Sequence, residues 1–204
     1  MMSQLYSTAE SAPGSLAWRL KTRQLEAARE MGRCIGGIVI AAVFLIAIGD
    51  ASGVLISNTD SAAPIGVYRV VSGEPKLGDL VAACLPIAIS QQGLARGYLR
   101  TGACPGDAEP VGKIIGALPG DTVQVERGWV SVDGVRFARS AMAERDSARR
   151  PLRHVPWGKY LVGADQVWLF GFNDSRSWDS RYFGPIPRAN VRGKLQPIVT
   201  WRAR

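Results

Sequence analysis

Between Cys34 and Gly49 the chain runs CIGGIVIAAVFLIAIG, sixteen residues without a charge or a strongly polar group, and no other stretch limits the fold as much. Asp50 interrupts the run and ASGVLI resumes it over 51–56. A helix rises ~1.5 Å per residue, so crossing a hydrocarbon core takes roughly 20 residues. With Arg33 snorkelling at one end and Asp50 wet at the other, residues 34–56 are expected to form one transmembrane anchor. A buried helix of a soluble protein is one alternative. A cleaved secretory signal is another, although the polar lead of more than thirty residues is long for one. Arg19, Lys21, Arg23, Arg29 and Arg33, against Glu10, Glu26 and Glu30, favour a cytoplasmic N-terminus. The expected organisation is a cytoplasmic segment 1–33, an anchor 34–56 and an extracytoplasmic domain 57–204.

That last part has ample material for a core: 47% of the 204 residues are hydrophobic and 21% charged. Twelve prolines and 23 glycines argue against a helical bundle and for short elements joined by turns. Strand-like runs fall at 66–71, 78–85, 112–117, 122–126, 129–132, 135–137, 160–162, 166–170 and 191–199, with one short helix at 87–95. Asp133-Gly134 is a hairpin signal and Pro119-Gly120-Asp121 a turn. The fold class expected is mostly β, antiparallel and partly closed. Arg139, Arg145, Arg149, Arg150 and Arg153 mark 139–153 as a basic, exposed insertion. The net charge of +8 suits lipid or nucleic acid alike. Trp178 and Tyr182 lie outside any basic groove, so no nucleic-acid partner is expected.

Three cysteines and one histidine exclude a four-cysteine zinc site and a multi-histidine metal cage. Cys34 falls in the apolar run as a small hydrophobe. In an extracytoplasmic domain Cys84 and Cys104 are either a disulfide or two buried thiols. His154 has no acidic neighbour within a few residues, so a serine-histidine-carboxylate triad would need distant residues to converge. Lys113 is the more informative candidate, because VGKIIGALPG holds no other charge from Val111 to Gly120. An amine buried among apolar groups has its pKa lowered toward the range of a general base, whereas at an edge it merely snorkels. Ser61, in the turn-like NTDSAAPIG, offers a hydroxyl beside outward-facing backbone N–H groups, as a nucleophile and oxyanion site require.

These two segments are where the chain resembles the membrane-bound signal peptidase superfamily, and within it the conjugative-transfer TraF group. The resemblance covers roughly residues 50–198. It rests on NTDSAAPIGVYRV (58–70), GDLVAACLP (78–86), RGYLRTGACPG (96–106), GKIIGALPGD (112–121) and DSRYFGPIP (179–187), in that order. It implies a Ser/Lys dyad protease on a signal peptidase-like β fold, in a single-pass protein of the bacterial inner membrane whose main domain is periplasmic. Lys113 would be the base, Asp179 would help hold the site together, and Ser180 and Arg181 would support it, the arginine pairing with a nearby carboxylate. The resemblance also favours the Cys84–Cys104 bridge.

The chain departs from the TraF pattern at the nucleophile. The serine position of that pattern, two residues before the proline, is Ala62 here, while Ser61 has the spacing of general bacterial signal peptidases. Either Ser61 attacks, with the backbone at Ser61–Ala62 and the Thr59 hydroxyl as the oxyanion site, or the protein is a non-cleaving assembly or peptide-binding component. The expected function is a membrane-bound serine endopeptidase processing an exported or pilin-like precursor in conjugative transfer. Its partners would be a membrane-anchored precursor, inner-membrane lipid and other conjugation proteins, with no cofactor or metal.

Overall fold

The computed structural model describes residues 16–51, 55–58, 63–171 and 177–201. The chain divides into two compact units, Met1–Ile48 and Gly49–Arg204.

The first unit is built on helix α1, Leu16–Ala51. Its first half, LKTRQLEAAREMGR, is made largely of strong helix formers, and Glu30 and Arg33 pair one turn apart at 2.9 Å. The expected anchor at 34–56 is corrected here. Among the described residues no helix is long and apolar enough to cross a membrane. The physical reason lies at both ends of the apolar run. Upstream, the helix is charged through Arg33. Downstream, it stops at Ala51, and Leu55 and Ile56 belong instead to strand β1, Leu55–Asn58. The sixteen uncharged residues left in the helix span about 24 Å, against a hydrocarbon core of about 30 Å. The single-pass inner-membrane topology and the membrane-bound form of the expected enzyme fall with that correction.

The second unit is mostly β, and every strand pair in it is antiparallel. After β1 come β2 (Ile65–Val71), β3 (Leu80–Ala83), helix α2 (Ile87–Arg96), β4 (Thr101–Cys104) and β5 (Val111–Ala117). Next are β6 (Thr122–Glu126), β7 (Trp129–Val132), β8 (Val135–Arg136), β9 (Gly158–Leu161) and β10 (Gln166–Phe170). The chain ends in helix α3 (Ser180–Phe183), β11 (Ile186–Pro187), a 3-10 turn and β12 (Val191–Trp201). One sheet has the order β1-β2-β12-β3-β5-β10-β11, and a smaller one β8-β7-β6-β9. β12 thus returns between β2 and β3, its ladder slipping near Gly193 and Pro197. Proline donates nothing to a ladder, so a bulge near Pro197 is the expected accommodation.

The central strands β3, β5 and β10 are buried along nearly their whole length. Val81, Ala83, Val111, Ile115, Val167 and Leu169 form one core cluster, with Leu85 and Leu99 beside them. Val123, Val125, Val130 and Val132 of the small sheet close on Trp168 and Phe170 of the large one. The Phe170 ring lies over Gly116, where any β-carbon would collide with it. Asp133 and Gly134 both adopt positive φ, 48° and 80°, as a tight hairpin between β7 and β8 requires.

Cys84 and Cys104 are bonded to each other, closing a segment that contains α2. The side chain of Asn190 donates to the Cys84 carbonyl at 2.7 Å and pins the β3 end of that segment. The basic stretch 139–153 is more closely held than its arginines suggest, because Ser140, Asp146 and Leu152 are buried within it. Asp146 accepts from the Tyr98 hydroxyl at 2.6 Å and from Arg150 Nε at 2.7 Å. Burial alone would raise the Asp146 pKa, but these hydrogen bonds and the Arg150 amide hold it down at about 2. Replacing both cysteines of the bridge by alanine releases a loop of sequence separation 20. By the chain-entropy estimate it lowers unfolding stability by about 3 kcal/mol, read from urea denaturation under oxidising conditions.

Candidate active site

Strand β5 supplies the lysine. Lys113 faces Val81 across the β3 ladder and shares its strand with buried Val111 and Ile115, so its stem enters an apolar wall. The residue is 1% exposed. An ammonium or amine in such a place requires a hydrogen-bond partner, and Lys113 Nζ donates to Ser177 Oγ at 2.8 Å. Gly171, just after β10, makes the meeting possible. A β-carbon there would fall on the Ser177 hydroxyl and lie 3.4 Å from Lys113 Nζ.

What holds Ser177 is the block that follows it. Asp179 is the N-cap of α3 and accepts from the Arg181 amide at 3.0 Å. Such a cap satisfies a backbone donor that the helix itself leaves unpaired. The Arg181 guanidinium meets the same carboxylate in a two-pronged pair, Nε to Oδ1 at 2.8 Å and Nη2 to Oδ2 at 2.7 Å. Both side chains are fully buried. The carboxylate also accepts from the Gly171 amide at 2.8 Å. Arg181 Nη2 donates to the carbonyls of Gly171 and Ser177, each at 3.3 Å, and Nη1 to that of Ala141 at 3.0 Å. One ion pair therefore ties together the end of β10, Ser177 and the 139–153 stretch. A two-pronged arginine–carboxylate pair is both strong and geometrically specific.

The other residues singled out in the sequence fall as follows. Ser180 Oγ accepts from the Leu169 amide at 2.9 Å, locking α3 onto β10. Arg181 does meet a carboxylate, and it is Asp179 of its own block. Thr59, Ser61 and Ala62 lie outside the described residues. His154 stacks on Trp157 with ring centroids 4.0 Å apart, its Nδ1 against the Val155 carbonyl. Among the described residues no group of three His, Cys, Asp or Glu side chains is placed to hold a metal. Ser177, the partner of the Lys113 amine, is not among the residues marked out in the sequence. Its one signal was position, two residues ahead of Asp179 in SWDSR.

Chemically, this is a lysine amino group and a hydroxyl in hydrogen-bond contact, both buried, set on an ion-paired frame. A lysine amine held in this way can accept and pass a proton when it is neutral. The frame is testable by itself. Asp179→Asn leaves Arg181 buried opposite a neutral amide and is expected to cost about 3–5 kcal/mol in urea unfolding. Combining it with Arg181→Met is expected to cost less than the sum of the two single changes.

With that geometry in hand, the kinship of the chain is clear. The family described as signal peptidase, peptidase S26 matches residues 28–201. The plasmid transfer protein TraF of Escherichia coli is 33% identical over 177 residues, covering 85% of this chain and 99% of that protein. The conjugal transfer protein TraF of Agrobacterium fabrum strain C58 is 35% identical over 147 residues, 71% of this chain and 81% of that one. Signal peptidase I of Leptolyngbya laminosa is 30% identical over 120 residues, 59% of this chain and 50% of that one. The buried lysine on β5 and the Asp-Ser-Arg block both lie within the matched region, and the chain belongs to the peptidase S26 family of signal peptidases, as a relative of the TraF transfer proteins.

Proposed function

We propose that the protein is a processing endopeptidase of the signal peptidase and TraF kind, using Ser61 as nucleophile and Lys113 as general base. The observation that carries this reading is the buried Lys113 amine, aimed by the Ser177 hydroxyl and embedded in an otherwise apolar strand. A purely structural lysine has little reason to be there, since burying an amine is costly and a leucine would fill the same space.

In the reaction, Ser61 Oγ attacks the scissile carbonyl carbon while its proton passes to Lys113 Nζ. The backbone N–H groups at Ser61–Ala62 and the Thr59 hydroxyl stabilise the oxyanion that forms. The tetrahedral intermediate collapses, the C–N bond breaks, and the lysine returns the proton to the leaving amine. Water, deprotonated by the same amine, then splits the acyl ester and restores Ser61. Asp179 and Arg181 act by fixing Ser177 and Gly171 rather than by touching substrate. The kinship with TraF proteins supports a place beside a conjugation apparatus, with a precursor protein of that apparatus as substrate.

The test is co-expression with precursor proteins encoded beside the gene, followed by mass analysis of the product. Lys113→Met is expected to lower kcat by ~100-fold or more, the usual share of a general base, and Ser61→Ala to abolish processing. Ala62→Ser decides the register. If the parent cleaves nothing and Ala62→Ser cleaves, the protein is a binding component whose nucleophile is missing. Cleavage that survives Ser61→Ala removes Ser61 from the mechanism.

A further inference from the structure

Ser177 is fixed from below by the ion pair, yet its hydroxyl still depends on how the chain enters the Asp179 cap. The residue between them is Trp178, and its ring is held in a specific seat. The indole packs 5.3 Å from the Tyr98 ring at 57°, and 5.2 Å from Phe183 in an edge-on contact at 76°. Its far edge reaches over α2 at Gly93, where an added β-carbon would lie 2.6 Å from Trp178 Cζ3 and 2.7 Å from Leu99 Cδ1. Gly93 sits in mid-helix with no turn to serve, and a glycine there costs ~1 kcal/mol relative to alanine. The space it leaves for the indole accounts for it.

The seat is itself rigid. Cys84–Cys104 closes the segment that carries α2. The Tyr98 amide caps the helix by donating to the Gly93 carbonyl at 2.8 Å. The Tyr98 hydroxyl is fixed by Asp146, which Arg150 holds from the other side. A bulky ring locked on an ordered platform fixes the backbone on either side of it, and catalytic groups tolerate only about 0.5 Å of misplacement. Trp178 packs against the core cluster beside Leu94 and Phe183 while keeping part of its surface exposed.

We propose that Trp178 is a positioning residue: seated in the notch left by Gly93, its indole fixes the backbone of Ser177 so that the hydroxyl meets Lys113 Nζ. The kinetic side of this rests on the reading of Lys113 as the base; the geometric side does not. Both are tested by size exchange across the notch. Gly93→Ala pushes the indole out, Trp178→Ala empties the seat, and Trp178→Phe keeps a ring beside Tyr98 but withdraws from Gly93. In the double variant Gly93→Ala/Trp178→Phe the added methyl occupies the space the smaller ring vacates.

Two readouts are taken on the full chain, with folding checked by circular dichroism. In the first, kcat for precursor cleavage falls ~10–100-fold in Gly93→Ala and Trp178→Ala at unchanged KM, falls less in Trp178→Phe, and recovers in the double variant. In the second, Lys113 is labelled by reductive methylation of the folded protein and measured by peptide mass spectrometry, with exposed Lys76 as reference. Labelling of Lys113 relative to Lys76 is slow in the parent, faster in the two single variants, and slow again in the double. If the labelling follows this pattern while the parent cleaves nothing, the protease reading fails and the positioning role stands. Should cleavage depend on Lys113 while labelling stays at the parent rate in both Gly93→Ala and Trp178→Ala, the positioning role is overturned and the protease reading survives. If either single variant does not fold, Trp178→Phe and the double variant carry the comparison. Equal labelling in those two and the parent, with equal kcat, also overturns the proposal.

Discussion

The ion pair between Asp179 and Arg181 is the constraint on which the rest of the site depends. Two opposite charges, wholly out of water, are tolerable only when every lone pair and proton finds a partner. Here the carboxylate takes two prongs of guanidinium and two backbone amides, and the guanidinium spends its remaining donors on carbonyls of Gly171, Ser177 and Ala141. That full satisfaction is what converts a costly pair into a fixed point. From it β10, Ser177 and the 139–153 stretch all take their positions, and the Lys113 amine is aimed by what they hold.

The glycines at 116, 171 and 93 complete the same design by subtraction. Each removes a β-carbon from a place where a larger group must pass: the Phe170 ring, the Ser177 hydroxyl with the lysine amine, and the Trp178 indole. A polar cluster in a dry interior is thereby framed by close contacts rather than by loose space, and packing at that density leaves little freedom for a misaligned amine. The outer side of the arrangement is electrostatic. Asp146 stays ionised down to about pH 2 because Tyr98 and Arg150 bond to its charged form, so the platform under Trp178 keeps its charge through any pH at which a peptidase works.

Much of the β domain is legible in the chain, because period-2 alternation and turn residues agree with one another. TVQVE, WVSV and QVWLF alternate or run apolar between glycine and proline punctuation and become β6, β7 and β10 with the same bounds. Lys113 announces itself by the absence of any charge around it. The membrane reading failed for a reason built into hydropathy, which averages over residues without knowing where one element ends. Leu55 and Ile56 lengthen the apolar run on paper but pair with Arg69 and Tyr68 across a ladder. The two residues of β11 are too few for a periodic signal, and TGAC of β4 carries no alternation. Ser177 was invisible because a serine in a polar stretch carries no pattern, and its role appears only when Gly171 and Lys113 converge on it from other strands. The arginines of 139–153 suggested a solvated face, while the buried Asp146 that organises them is a single acidic residue with nothing in its neighbours to mark it.

The proposed role of the buried Lys113 amine is to activate Ser61 toward a peptide carbonyl. It is tested most directly by intact mass analysis after brief exposure to an activated peptide ester, followed by peptide mapping. One acyl group is expected on the parent protein, located on the peptide that carries Ser61, and none on Lys113→Met over the same interval. An acyl group found elsewhere on the chain, or one acquired by Lys113→Met at the rate of the parent, would contradict it.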